Sequence, residues 1–189
     1  MKSFITAILL FVSLAVAAQD RKSLEARANL LHDYTVSEQY EKLLDITYPK
    51  LFDLLPREKM VEVLKRMAKG DGFSIKIANT PPNFSFGEIK KIDGGSYSVV
   101  TYDLIMKMTF DQKMTAEEAD MMVKSFKSNL KTDEVLFDAQ GNVFTIKKRS
   151  QAVAVADKLT HNLWMFINNS DGPIKEKLLS DKVIKELNI

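Results

Sequence analysis

Cysteine is absent from this chain, which excludes disulfides, thiolate metal ligands, thiol nucleophiles and a lipid attached to cysteine behind an N-terminal leader. Histidine is nearly absent. His32 and His161 stand far apart, so no zinc-ligand spacing exists, and no metal or other cofactor is expected. There is no glycine-rich nucleotide loop among the seven glycines. No charge of one sign dominates either. Lysine and arginine number 27 against 25 acidic residues, a net charge of +2, which leaves no electrostatic footprint for nucleic acid. The one basic cluster, Lys147-Lys148-Arg149, is short and reads as a solvated strand end. The single long apolar run, from Phe4 to Val16, falls short of the roughly 20 residues a membrane-spanning helix needs.

That run carries the parts of an export signal. Lys2 supplies the positive start, Phe4 to Val16 the apolar middle, and Ala15-Val16-Ala17-Ala18 the small residues of a cleavage site. The expectation is a signal peptide over residues 1–18, cut after Ala18, followed by one domain over residues 19–189 with no stable membrane anchor. An exported domain without disulfides must hold together by burial alone, which a chain of this length can do. That combination points to a periplasmic or secreted bacterial protein rather than a disulfide-dense secreted scaffold.

Behind the leader the pattern is first helical. Leu24, Ala28 and Leu31 predict a helix over about Asp20 to Tyr34. A second helix, with Ser37 as N-cap, carries Tyr40, Leu43, Leu44, Tyr48, Leu51, Phe52 and Leu55, and Pro49 predicts a kink or break near Tyr48. A third begins at Pro56 and is expected to bury Met60, Val61, Leu64 and Met67 before stopping at Gly70-Asp71-Gly72. The period then changes to two. Strands are predicted at Phe73 to Ile77, Phe84 to Ile92 and Ser96 to Phe110, with a hairpin turn at Asp93-Gly94-Gly95. In the long strand Val100, Tyr102, Leu104, Met106, Met108 and Phe110 should face the core, and Thr101, Asp103, Lys107 and Thr109 away from it.

Thr115 and Glu118 predict a capping box ahead of a helix bearing Ala119, Met122, Phe126 and Leu130. Strands follow at Glu134 to Asp138, Asn142 to Arg149 and Asn162 to Asn168. A C-terminal amphipathic helix opens at Asp171-Gly172-Pro173 and bears Ile174, Leu178, Val183, Ile184 and Leu187. Antiparallel strands with segregated helices make an α+β domain.

The segment Tyr40 to Phe52, with its Leu43-Leu44-Asp45-Ile46-Thr47-Tyr48-Pro49 core, resembles the paired-helix region of the NTF2-like superfamily. The aromatic stretch Leu163-Trp164-Met165-Phe166-Ile167 is similar to that family's closing strand, and the resemblance runs over about Leu24 to Asp171. It implies N-terminal helices packed on a curved antiparallel sheet that forms a cone with an apolar cavity. The helix after Thr115 and the one after Pro173 are additions to that pattern. Because the fold hosts isomerases, dehydratases, ligand binders and associative proteins, it leaves function open.

The candidate cavity lining is Tyr40, Asp45, Tyr48, Phe52, Tyr102 and Trp164. The expected function is an exported, non-catalytic binding or interaction domain holding a small apolar ligand, with a homodimer or a protein partner as the associative form. The alternative is a cone-cavity isomerase or dehydratase using an Asp, His or Tyr. For that role Asp103 lies on the outward side of its strand, and surface or capping roles suit His32 and His161 better. Met106, Met108, Met114, Met121 and Met122 raise thioether ligation of copper, against the simpler role of filling an irregular core.

Overall fold

The computed structural model describes residues 20–169 and 173–189; the expected signal peptide and the Asp171-Gly172 opening of the C-terminal helix lie outside them. Two long strands organise everything else. Strand β5 (Gly95–Phe110) and strand β7 (Val143–Ala156) run antiparallel from Ser96 opposite Ala156 to Thr109 opposite Val143. At the near end β5 is flanked by β2 (Phe73–Ile77), with β1 (Lys69–Gly70) beyond it, and β7 by β6 (Val135–Asp138). At the far end β3 (Ser85–Phe86) and β4 (Lys90–Ile92) pair with β5, and β8 (Met165–Asn168) pairs with β7. This is the expected α+β class, an open, curved antiparallel sheet with helices before, within and after it.

The even residues of β5 share one face, here called inner. At the far end that face carries Ser96, Ser98, Ala152, Ala154 and Ala156, a lane of small buried side chains. Helix α1 (residues 20–36) lies on the same face and buries Leu24 and Ala28 in one cluster with Val100, Trp164 and Phe166. Trp164 pins the start of α1, its indole Nε1 donating to the Asp20 carbonyl at 3.2 Å and to Ser23 Oγ at 3.1 Å. At the near end the inner face carries Met106, Met108, Phe144 and Ile146 and is covered by α5 (Ala116–Leu130). Helix α5 starts with the expected capping box between Thr115 and Glu118, and Ala119, Met122, Phe126 and Leu130 face the sheet as anticipated.

The outer face differs between the two ends. At the far end Val153, Val155 and Ile167 pack against Tyr48 and against Leu178, Leu179 and Val183. The last three belong to the C-terminal segment, which forms two helices, α6 (Pro173–Leu178) and α7 (Asp181–Leu187), rather than one. Ser180 is the cause of the break, since its side chain accepts the Val183 N–H and starts a new helix.

Several boundaries move for identifiable reasons. Helix α2 (Tyr40–Asp45) stops before Pro49 because the backbone at Ile46–Tyr48 leaves the helix for the sheet. Tyr48 N–H donates to the Phe166 carbonyl at 3.0 Å, and Phe166 N–H to the Ile46 carbonyl at 2.9 Å, around a parallel bridge at Thr47. Only the short α3 (Leu51–Leu54) follows. Ser37 does not cap α2, because its hydroxyl donates back to the Asp33 carbonyl. In α4 (Arg57–Ala68) Val61 is buried, but Met67 is 55 % exposed. The expected strand from Phe84 to Ile92 is split by Gly87 to Ile89, whereas the Asp93-Gly94 turn forms with both residues at positive φ. Strand β7 continues seven residues past Arg149 to Ala156, so the basic cluster sits mid-strand. The last strand begins at Met165, because residues 157–162 form a turn held by Asp157 and Thr160.

Candidate functional site

Between α1 and the inner face, near the middle of β5, lies a pocket of about 140 Å³. Its walls are mostly apolar. Leu31 comes from α1, Ile77 from the end of β2, Phe84 from the segment before β3, and Tyr102 and Leu104 from β5. The helical spacing that buries Ala28 carries on to Leu31, His32 and Thr35, so α1 presents its last turn to this pocket.

Residues 78–83 form a strap along one side, stiffened by Pro81 and Pro82. Its hydrogen bonds tie it to three elements. Ala78 N–H donates to the Ile105 carbonyl at 2.8 Å, and Asp103 N–H donates to the Pro82 carbonyl at 2.6 Å. The Asp103 carboxylate accepts from Asn83 Nδ2 at 2.7 Å and from Arg149 Nη1 at 2.8 Å, while Arg149 also donates to the Asn83 carbonyl. These hydrogen bonds, from Asn83 first and then Arg149, hold the Asp103 carboxyl below its ordinary range. Asp103 points outward as the alternation requires, and its side chain anchors the strap from the outer face.

His32 is the fourth tie. Its Nε2 lies 3.0 Å from the Thr80 carbonyl, which can only accept, so Nε2 carries the proton. Nδ1 lies 3.5 Å from an Asp33 carboxylate oxygen. His161, in contrast, is exposed on the 157–162 turn at positive φ. The Thr35 hydroxyl donates to the Leu31 carbonyl at 2.7 Å. Tyr102 packs its ring on Phe84, with centroids 6.0 Å apart, and burial raises its phenol pKa.

Of the six residues selected from sequence, only Tyr102 borders this pocket. Trp164 is buried on the same face but further along, beneath the start of α1. Tyr48 is buried on the opposite face, where its hydroxyl donates to Asp157 Oδ2 at 2.7 Å. Burial first, and that hydrogen bond second, push its pKa upward. Asp45 is exposed and paired with Arg57 at 2.7 Å, Phe52 lies under the same guanidinium at 5.8 Å, and Tyr40 sits on an open surface of α2 with a pKa raised by partial burial. The structure therefore does not bring the six together. Sequence reasoning passed over Leu31, His32, Ile77, Phe84 and Leu104 as lining. The signal for the first two was present in the stripe Leu24, Ala28, Leu31.

Met106, Met108, Met114 and Met122 pack with Phe110, Phe126 and Phe144 beneath α5, and Met121 is 63 % exposed. Met114, Met121 and Met122 border an open groove beside the 111–114 loop. Among the described residues no group of three or more His, Cys, Asp or Glu side chains is placed to hold a metal ion, and no helix is long and apolar enough to cross a membrane. No protein-family model matches this chain, and no curated protein or solved structure matches it either.

Proposed function

We propose that this chain is an exported, NTF2-like binding domain that holds a small, mainly apolar molecule in the pocket between α1, β2, the 78–83 strap and β5. The observation that carries the reading is the pocket itself. It is apolar, it lies on the inner face of a curved sheet, and it is bordered by a strap with its own anchoring network. A cavity of about 150 Å³ lined by aliphatic and aromatic groups accepts a single benzene-sized ring, which sets the scale of the ligand. The chemistry of the histidines favours binding over catalysis. A general base needs a free ring nitrogen within reach of its substrate; His32 commits its Nε2 proton to a backbone carbonyl, and its other nitrogen, Nδ1, lies beside the exposed Asp33 carboxylate. Export is supported by the Phe4 to Ala18 pattern, and the periplasmic or secreted bacterial setting by the absence of cysteine.

Native mass spectrometry of protein recovered from its producing cells tests both parts. The expected result is a polypeptide lacking residues 1–18 and carrying a small neutral adduct, or accepting a single-ring probe. Filling the pocket with Leu104→Phe should abolish the adduct while circular dichroism stays unchanged. An unprocessed chain found only inside the cell would refute export. A chain that takes up no probe at any soluble concentration would refute binding.

A further inference from the structure

The pocket has polar side chains in its wall, and all but one are already committed. His32 Nε2 donates to Thr80 and the Thr35 hydroxyl donates to Leu31, while Asp103 turns its carboxylate to the outer face, where Asn83 and Arg149 engage both oxygens. The exception is Tyr102, whose hydroxyl hydrogen-bonds to no group among the described residues. Yet no side-chain polar atom among them is both sealed and unpaired, so this hydroxyl reaches open space. The open space its residue borders is the pocket. A phenol in apolar surroundings without a partner forfeits free energy that a hydrogen bond would restore.

Resting on the proposed function, we infer that Tyr102 is the specificity-determining residue of this pocket and that it donates a hydrogen bond to a neutral ligand bearing one acceptor oxygen, such as a ketone or ether on a single ring. The requirement for neutrality follows from the wall. An anion would need a cation or several free donors to offset its desolvation, and the lining residues supply one uncommitted donor, the Tyr102 hydroxyl. The requirement for an acceptor follows from the phenol, whose O–H proton has no acceptor in the protein. The apolar remainder of the ligand is set by Leu31, Ile77, Phe84 and Leu104.

The test uses purified full-length protein and three probes of one shape. Cyclohexanone and methylenecyclohexane differ by an oxygen in place of a methylene, and cyclohexanecarboxylate adds a charge. The wild-type protein should bind cyclohexanone about tenfold more tightly than methylenecyclohexane, the size of one net hydrogen bond. The carboxylate should bind most weakly. Tyr102→Phe should abolish or reverse that preference, chiefly by weakening cyclohexanone, with no loss of thermal stability, because the lost hydroxyl had no partner in the protein. Equal affinities in the wild type, a preference that survives Tyr102→Phe, or a preference for the carboxylate would each overturn the inference and leave the binding reading standing. Failure of all three probes to bind would overturn both.

Discussion

The two ends of this sheet are built from the same pair of strands and solve burial differently. At the far end β7 is buried on both faces, with α1 above and Tyr48, Leu51, α6 and α7 below. At the near end only the inner face is covered, by α5, and the outer face presents Ser74, Lys76, Lys107, Thr109 and Thr145 to solvent. The strand records the change along its length. From Val143 to Lys147 buried and accessible residues alternate, whereas Ala152 to Ala156 are buried without interruption. A strand covered on one face needs alternation, and a strand covered on both reads as a continuous apolar run. The proposed pocket lies close to where one regime gives way to the other, between the helices that cover the inner face.

The largest test of this comparison removes one cover. A chain ending at Asn169 loses Leu178, Leu179 and Val183 from the outer face, and each buried aliphatic side chain contributes roughly 1.5–3 kcal/mol. Their sum approaches the about 5–15 kcal/mol that holds a whole domain together. Cooperative urea unfolding should therefore disappear. A truncated chain with the parent midpoint would mean that the far end does not depend on its second layer.

The near end should fail at one residue instead. Phe144 is fully buried and meets Phe110, Phe126 and Phe137 at ring centroids of 5.7, 5.3 and 4.5 Å. Phe144→Ala should cost about 3–5 kcal/mol by denaturant titration. A loss below about 1 kcal/mol would place the near-end core elsewhere.

How much of this was legible depended on whether local pattern and tertiary demand agreed. The capping box at Thr115, the Asp93-Gly94 turn and the inward set of β5 were readable because each is a local rule that the fold obeys. The second half of β7 was not recognised, since Ala152-Val153-Ala154-Val155-Ala156 is apolar throughout, with no apolar–polar alternation and no helical period, and alanine has little preference for strands. The end of α2 was set by a partner more than a hundred residues away, Phe166, which recruits Ile46 and Tyr48 into the sheet. The pocket was harder still. Its lining comes from four separate segments, and aromatic composition pointed to residues that the fold places on opposite faces. Only the final turn of α1, in phase with Ala28, carried a readable hint.

Next in size is the polar contact inside the far-end outer layer. Tyr48→Phe removes the donor to Asp157 Oδ2 and should cost about 1.5–3 kcal/mol, the range for a hydrogen bond to a charged group. It should also change the alkaline limb of stability. The folded-state pKa of Tyr48 lies above its unfolded value, so its contribution is complete below pH of about 10 and is lost as pH climbs from there toward the folded value. The variant should show a shallower decline across that window. Tyr97 and Tyr102 are shifted in the same direction by burial, so the limb shrinks rather than vanishes. An unchanged limb would show that Tyr48 is not held neutral by the layer that covers it.

The smallest effect belongs to the uncovered face and runs the other way. Lys76 and Lys107 stand directly opposite each other across β2 and β5, and neither has an ion pair among the described residues. Directly opposed like charges in a sheet destabilise it by roughly 0.2–1 kcal/mol. Lys76→Thr removes the repulsion and installs a β-branched side chain between Ser74 and the edge, so stability should rise by a few tenths of a kcal/mol, about the lower end of that range. The gain should fade as salt screens the pair in the parent protein. A loss of stability would mean that the lysine stem covers apolar surface, and the near end would then be more like the far end than its exposed residues imply. Retaining two unpaired lysines at such a position is consistent with the separate benefit of charge on an open face, which discourages a second sheet from stacking there. Lys76→Thr should therefore associate more readily at high concentration even as it unfolds at higher urea, a divergence that light scattering and denaturation can measure side by side.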